Sequence, residues 1–254
     1  MNLTEETAIL EVKGISKNFG AVQALDDVDF NVHAGEVVGL VGDNGAGKST
    51  LVKIISGVHK PDAGTVFFQG QPVTINNPRD STDLGIEVVY QDLALADNLD
   101  VVANLFVGRE LSKETIPGLK GLAWLDETAM EKRALDLLDR LKIPIPSVRN
   151  AVADMSGGQR QSVAVTRAVM ENCKLVLLDE PTAALGVEQT KRVMSLIQNL
   201  KERNLGVVVI SHNMQDVFEI TDRIVVLRLG KRVATFETKS TQPEQVVSAI
   251  TGAH

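Results

Sequence analysis

Cysteine is nearly absent from this chain: of 254 residues only Cys173 carries a thiol, so no intrachain disulfide can form and a reducing compartment suits it. Long apolar runs are missing too. No stretch approaches the roughly 18 to 20 residues that cross a bilayer, so at a membrane another chain must supply the span. Positive charge is in deficit. The 26 Lys and Arg against 33 Asp and Glu leave a formal net charge of −7. That disfavours nucleic-acid binding through a general basic field, though not through a local patch. Met1 to Glu11 holds three glutamates and no basic start ahead of an apolar centre, so no secretory signal is expected there. There is no tandem repeat, low-complexity tail, long coiled coil or zinc hook. The remaining composition, 44% hydrophobic and 23% charged, is that of a globular protein. Its length allows one large domain or a domain with an inserted lobe.

What is present is concentrated in short motifs. The run Gly42-Asp43-Asn44-Gly45-Ala46-Gly47-Lys48-Ser49-Thr50 fits G-x-x-x-x-G-K-[ST], the phosphate-binding P-loop. It follows the apolar run Val37 to Val41 and precedes a predicted helix from Lys48 through Ile55. Glycines let the backbone turn so that consecutive N–H groups face phosphate oxygens, and the helix N-terminus adds partial positive charge. Lys48 can then reach the β- and γ-phosphates, and the Ser49 hydroxyl can take one site on Mg²⁺.

Periodicity predicts the surroundings. Ala8 to Val12, Val28 to Val32 and Thr65 to Phe68 read as short strands. Ile86 to Tyr90 is a compact β-branched run. Leu175 to Leu178 and Val207 to Ile210 are continuous apolar runs, as in strands covered on both faces. Between Asp92 and Met170 there is little strand signal. There Glu127 to Lys142 places Met130, Ala134, Leu138 and Leu141 at helical spacing, and Pro144 and Pro146 stop the helix. Val187 to Arg203 predicts a helix with Val193, Ile197 and Leu200 inward. Ile224 to Leu229 and Arg232 to Phe236 read as a hairpin. The expected architecture is a single α/β unit over residues 1–254. A mostly parallel core and an antiparallel β portion come from 1–91 and 171–254, and a helical insertion from 92–170.

The strand ends carry chemistry. Val41 runs into the P-loop, Tyr90 delivers Gln91, Leu178 delivers Asp179 and Glu180, and Ile210 delivers Ser211 and His212. Ligands of open parallel sheets bind outside the carboxyl ends of the strands. Asp179 can hold Mg²⁺ with Ser49, and Glu180 can orient or deprotonate an attacking water. Gln91 offers an amide oxygen to the metal and a nitrogen to the water. His212 can donate to the γ-phosphate and fix Glu180.

The stretch Met155-Ser156-Gly157-Gly158-Gln159-Arg160 is the second diagnostic feature. Ser156-x-x-Gln159 satisfies a capping box and can simply start a helix. Two first-turn glycines are not explained by capping. They suit close approach of something large to a helix N-terminus that binds anions.

Taken together, these motifs resemble those of ABC transporter ATPase subunits, over nearly the whole chain. In that resemblance Phe19 matches an aromatic that stacks on adenine, although a core Phe is a competing reading. Gly42 to Thr50 match Walker A, Gln91 the Q-loop and Met155 to Gln159 the signature. Leu175 to Glu180 match Walker B and His212 the switch histidine. The family implies ATP and Mg²⁺ as cofactors and a head-to-tail homodimer. Each ATP is then sandwiched between one subunit's P-loop and the other's Ser156 to Gln159. Paired membrane permease subunits would be partners, placing the chain peripherally on the cytoplasmic face of the inner membrane. No nucleic acid is expected.

Where the family's D-loop usually reads Ser-Ala-Leu-Asp, this chain has Ala183-Ala184-Leu185-Gly186, which removes a carboxylate used in communication across the dimer. Gly186 is normal, however, in ATPase subunits of ribose, xylose and fructose importers. Those subunits also resemble this chain at Gly42 to Leu51, Ile86 to Leu95 and Glu180 to Gly186. That resemblance implies energised sugar uptake, with an external sugar-binding protein as an indirect partner. An ABC ATPase for another small substrate, one acting on DNA or ribosomes, and a regulatory subunit without turnover are the alternatives. The presence of Glu180 opposes the last.

Overall fold

The computed structural model describes residues 7–114 and 123–253; residues 1–6, 115–122 and 254 of the expected spans lie outside the described residues. The strands β1 (Leu10–Phe19) and β2 (Val22–Val32) form a long hairpin. β3 (Val37–Val41), buried throughout, enters the glycine loop and then α1 (Lys48–Ile55). β4 (Ala63–Phe68) and β5 (Gln71–Val73) follow. α2 (Pro78–Leu84) starts where the Asn77 side chain accepts from the Arg79 and Asp80 N–H groups, and leads into β6 (Ile86–Val89).

The middle of the chain holds α3 (Val101–Phe106), the small hairpin β7 (Ser112–Glu114) and β8 (Ala123–Leu125), α4 (Glu127–Arg140) and α5 (Gly157–Ala168). Then come β9 (Leu175–Asp179), α6 (Val187–Glu202), β10 (Gly206–Ile210) and α7 (Met214–Ile220). The hairpin β11 (Arg223–Arg228) and β12 (Lys231–Glu237) precedes α8 (Pro243–Thr251).

The central sheet runs β12-β11-β3-β10-β9-β6. β11, β3, β10, β9 and β6 are parallel, and β12 is an antiparallel edge. The second sheet, β2-β1-β4-β5, is antiparallel.

The continuous apolar character of β9 and β10 has a direct cause. Alternate residues feed two separate cores, because side chains on a strand alternate between faces. Leu175, Leu177, Val208 and Ile210 pack with Leu51 and Ile54 of α1 and with the antiparallel sheet. Val176, Leu178, Val207 and Val209 pack against Val193, Ile197 and Leu200 of α6 and Ala164 and Val165 of α5. A third core belongs to the helical region. Leu105 and Phe106 of α3 meet Met130, Ala134 and Leu138 of α4 and Val163 of α5. The stripe read from Glu127 onward is therefore the buried face of α4.

The structure differs from expectation at several points. The β7–β8 pair lies in the stretch that carries little strand signal. The helices α2, α3, α7 and α8 are six to nine residues long, too short to show a full amphipathic period. β1 starts later and runs much further than Ala8 to Val12, through irregular registers that break simple alternation. Near β9, burial pushes the Cys173 thiol up to about 12, and its Sγ donates to the Leu175 carbonyl at 3.5 Å.

Candidate functional site

The P-loop is built against the end of β11. Gly42 has φ +148°, and a Cβ there would lie 2.1 Å from the Leu227 carbonyl oxygen, so only glycine fits. Gly230 donates its N–H to the Ala46 carbonyl at 3.1 Å. α1 opens at Gly47 without a side-chain cap, leaving a helix N-terminus suited to an anion. Lys48 folds back over the loop, its Nζ donating to the Gly42 carbonyl at 2.6 Å and the Asp43 carbonyl at 3.0 Å. Burial lowers the Lys48 pKa, against the opposing pull of Glu180, Asp179 and Asp43. Asp43, Asn44, Gly45 and Ser49 are exposed along the loop, and Thr50 is half-buried.

Strand register aligns the other groups. Leu40 pairs with Ile210 and Ile210 with Asp179, so β3, β10 and β9 end together. Asp179 is half-buried, and burial first, then the Glu180 carboxylate, raises its pKa; Lys48 and Lys53 oppose the shift. Glu180 adopts φ +50°, uncommon for a residue with a side chain, and its N–H donates to the Ile210 carbonyl at 2.8 Å. Its Oε1 lies 2.7 Å from His212 Nδ1, while the imidazole is 78% exposed. An ionised carboxylate only accepts, so Nδ1 donates, leaving Nε2 facing outward. Lys48, Asp179, Glu180 and His212 are thus brought together. Gln91 is exposed beyond the end of β6, after Tyr90, whose hydroxyl donates to Ser56 Oγ at 3.3 Å.

Among the described residues no group of three or more His, Cys, Asp or Glu could hold a metal by itself. One half-buried carboxylate at Asp179 and the exposed Ser49 hydroxyl are hard oxygen donors. They fit a Mg²⁺ that arrives with phosphate oxygens.

Phe19 lies at the end of β1 and is 45% exposed, which removes the core reading. Ser156 caps α5: its Oγ accepts from the Gln159 N–H at 3.4 Å, and Gln159 Oε1 accepts from the Ser156 N–H at 2.9 Å. No hydrogen bond or ion pair joins this capping box to Lys48, Asp179, Glu180 or His212. Packing inside the chain, and not only the approach of a ligand, accounts for one of the paired glycines. A Cβ at Gly158 would lie 2.7 Å from Gln189 Cβ of α6, so that glycine permits helix packing inside the chain. Gly157 is the exposed one of the two.

Sequence reasoning missed three supports. The Leu227 to Gly230 turn braces the P-loop through backbone atoms, which leave no side-chain signature. Buried Thr182 donates to Asp216 Oδ2 at 2.5 Å, tying the segment after Glu180 to α7 after His212. Arg167 at the end of α5 donates to the Ala94 and Leu93 carbonyls at 2.8 and 2.9 Å, clamping the loop that follows Gln91. A penultimate Arg in a helix carried no visible cue, because basic residues are common in last turns.

The chain matches the family model described as ABC transporter over residues 25–183. It is 46% identical to the xylose/arabinose import ATP-binding protein XylG of Sulfolobus acidocaldarius, over 96% of this chain and 94% of that protein. It is 45% identical to the fructose import ATP-binding protein FrcA of Rhizobium meliloti, with the same coverage. Against the ribose import ATP-binding protein RbsA 1 of Burkholderia cenocepacia it is 40% identical, and spans 46% of that protein's length. The fold superposes on the ADP conformation of MJ1267, an ATP-binding cassette of an ABC transporter. That match has TM-score 0.80 and 28% identity, over 97% of this chain and 96% of that one. It also superposes on a dimeric structure of the bacterial ABC transporter cassette MJ0796, with TM-score 0.73 and 26% identity over 91% and 100% of the two chains. On the strength of the matched segment and of these relatives, the chain is an ATP-binding cassette and belongs to the ABC transporter family.

Proposed function

We propose that this cassette hydrolyses ATP to energise import of a sugar through partner permease subunits in the membrane. An external sugar-binding protein delivers the cargo, and the cassette sits peripherally on the cytoplasmic face of the inner membrane. The 2.7 Å contact between His212 and Glu180, beside Asp179 and Lys48, is the observation that carries the hydrolytic reading. The names of the xylose/arabinose and fructose import relatives support the cargo class. No helix among the described residues is long and apolar enough to cross a membrane, in keeping with a span supplied by other chains.

In this reading residues 42–50 cradle the triphosphate, and Lys48 exchanges its carbonyl partners for phosphate oxygens. Phe19 stacks on adenine. Asp179, Ser49 and Gln91 hold Mg²⁺, which when bound offsets phosphate charge. Glu180 takes the proton of the attacking water while His212 fixes Glu180 through Nδ1–H and, when the ring carries both protons, donates Nε2–H to the γ-phosphate. Ser156, Gly157, Gly158 and Gln159 close on the nucleotide of a second copy. The dimeric state of the related cassette supports that arrangement. The helical unit at 92–170 then moves relative to the core at 1–91 and 171–254.

The test is Glu180→Gln. With ATP and Mg²⁺ it should accumulate as an ATP-loaded dimer with little hydrolysis, measured by light scattering and phosphate release. A variant that stays monomeric counts against the sandwich. Uptake of a panel of monosaccharides in a deletion strain carrying the permease genes tests the cargo.

A further inference from the structure

The exposed ring of Phe19 is held from outside its own hairpin. His59 meets it edge-on, with ring centroids 5.2 Å apart and an interplanar angle of 68°. Lys17 Nζ lies 5.7 Å from the same centroid. That ammonium is itself fixed, because it donates to Asp62 Oδ1 at 2.8 Å. The other carboxylate oxygen of Asp62 accepts the Asn18 backbone N–H at 2.7 Å, and the Asp62 N–H donates to the Ser16 carbonyl at 2.9 Å. Lys17 and the Asn18 N–H keep the Asp62 carboxyl below the usual carboxylate range.

Residues 16–19 are therefore gripped at the backbone, at the cation and at the ring by the short loop that contains His59 and Asp62. That loop is the continuation of α1. The His59 N–H donates to the Lys53 carbonyl of that helix at 2.9 Å. One eight-residue helix thus begins at the phosphate loop and ends at the support of the exposed ring.

We infer that His59 and Asp62 are positioning residues for base recognition, setting the height and tilt at which Phe19 meets the purine. The inference rests on the reading of Phe19 as the base platform. The physical argument is preorganisation. A lone exposed Phe at a hairpin end samples several rotamers, and binding must freeze one, which lowers affinity. A ring already held by an aromatic edge and by a tethered cation has lost that freedom before the nucleotide arrives. Because the grip reaches Phe19 and not the phosphate loop, its loss should be felt by the base end of the ligand alone.

Calorimetric titration of the full chain with ATP and, separately, with tripolyphosphate distinguishes the two ends. His59→Ala and Asp62→Ala should each weaken ATP about three- to tenfold, in line with one aromatic or charge-assisted contact, and leave tripolyphosphate affinity unchanged. His59→Phe, which keeps an aromatic edge, should retain the parental ATP affinity. Equal weakening of both ligands, no weakening of either, or a His59→Phe variant as weak as His59→Ala overturns the inference. Phe19→Ala is the control. If it leaves ATP affinity unchanged, the platform reading itself falls. If it weakens ATP while His59→Ala and Asp62→Ala do not, only the positioning role falls. Equal thermal melting curves for all variants confirm that folding is not what is being read.

Discussion

Glu180 and His212 lie 32 positions apart in the chain and touch at 2.7 Å because β9 and β10 are parallel neighbours that end in register. The contact is not a surface ion pair of convenience. Glu180 holds it from a left-handed backbone that has to be stabilised by the surrounding strands.

Removing the imidazole should therefore spare binding and harm chemistry. His212→Ala is expected to lower the ATP turnover rate by about 10²- to 10³-fold, the scale for one lost donor at a developing charge. ATP affinity should change little. Comparing steady-state turnover with equilibrium binding checks this, and a parallel loss of affinity would assign His212 to substrate binding instead.

Asp179 gives a pH prediction with a definite sign. Its folded pKa is raised, so the ionised form is disfavoured in the folded chain relative to the unfolded one. That cost is present in full above the folded value and shrinks as pH falls towards the unfolded value. Asp179→Asn should thus melt at a higher temperature than the parent at pH 7 in the absence of nucleotide, with the gain fading in acid. The same change should abolish Mg²⁺-dependent hydrolysis. A melting curve that falls at pH 7 contradicts the assignment of burial as the dominant cause.

The two glycines of the capping box should respond differently. Gly158→Ala drives a Cβ to 2.7 Å from Gln189 Cβ and should destabilise the chain by about 1–3 kcal/mol. Gly157→Ala meets only the flexible end of Leu185 at 3.0 Å and should cost far less. Urea denaturation midpoints distinguish the pair, and equal midpoints would remove the packing explanation.

Ser156 tests action across a dimer. Ser156→Arg should block hydrolysis yet leave the nucleotide affinity of a single chain intact, because the capping box makes no contact with its own P-loop groups. Fluorescent-nucleotide titration at concentrations that keep the chain monomeric is the measurement. A collapse of affinity there would place the signature in cis.

Much of this site was legible in the residues because its information is local. The P-loop helix runs from Lys48 to Ile55 as read, and β3 occupies Val37 to Val41. Both follow from dense, continuous signals: an apolar run, a glycine pattern and a helix start. What escaped reading depends on pairs distant in sequence. The Leu227 carbonyl that makes Gly42 obligatory, the Gln189 side chain that makes Gly158 obligatory and the Arg167 clamp on Leu93 and Ala94 each join segments whose adjacency only the fold creates. Short helices such as Met214 to Ile220 escaped for a different reason, since two turns do not establish a period.

The half-buried thiol of Cys173 has a practical outcome. With burial pushing its ionisation up to about 12, it should react slowly with maleimide reagents at neutral pH, which a labelling time course on the parent chain checks. A single reporter cysteine introduced at exposed Val187, beside the turn that opens α6, would therefore be the chain's faster-reacting handle. Distance-sensitive dyes placed there would report whether two cassettes approach and part as nucleotide is added and consumed, against a weak background from Cys173.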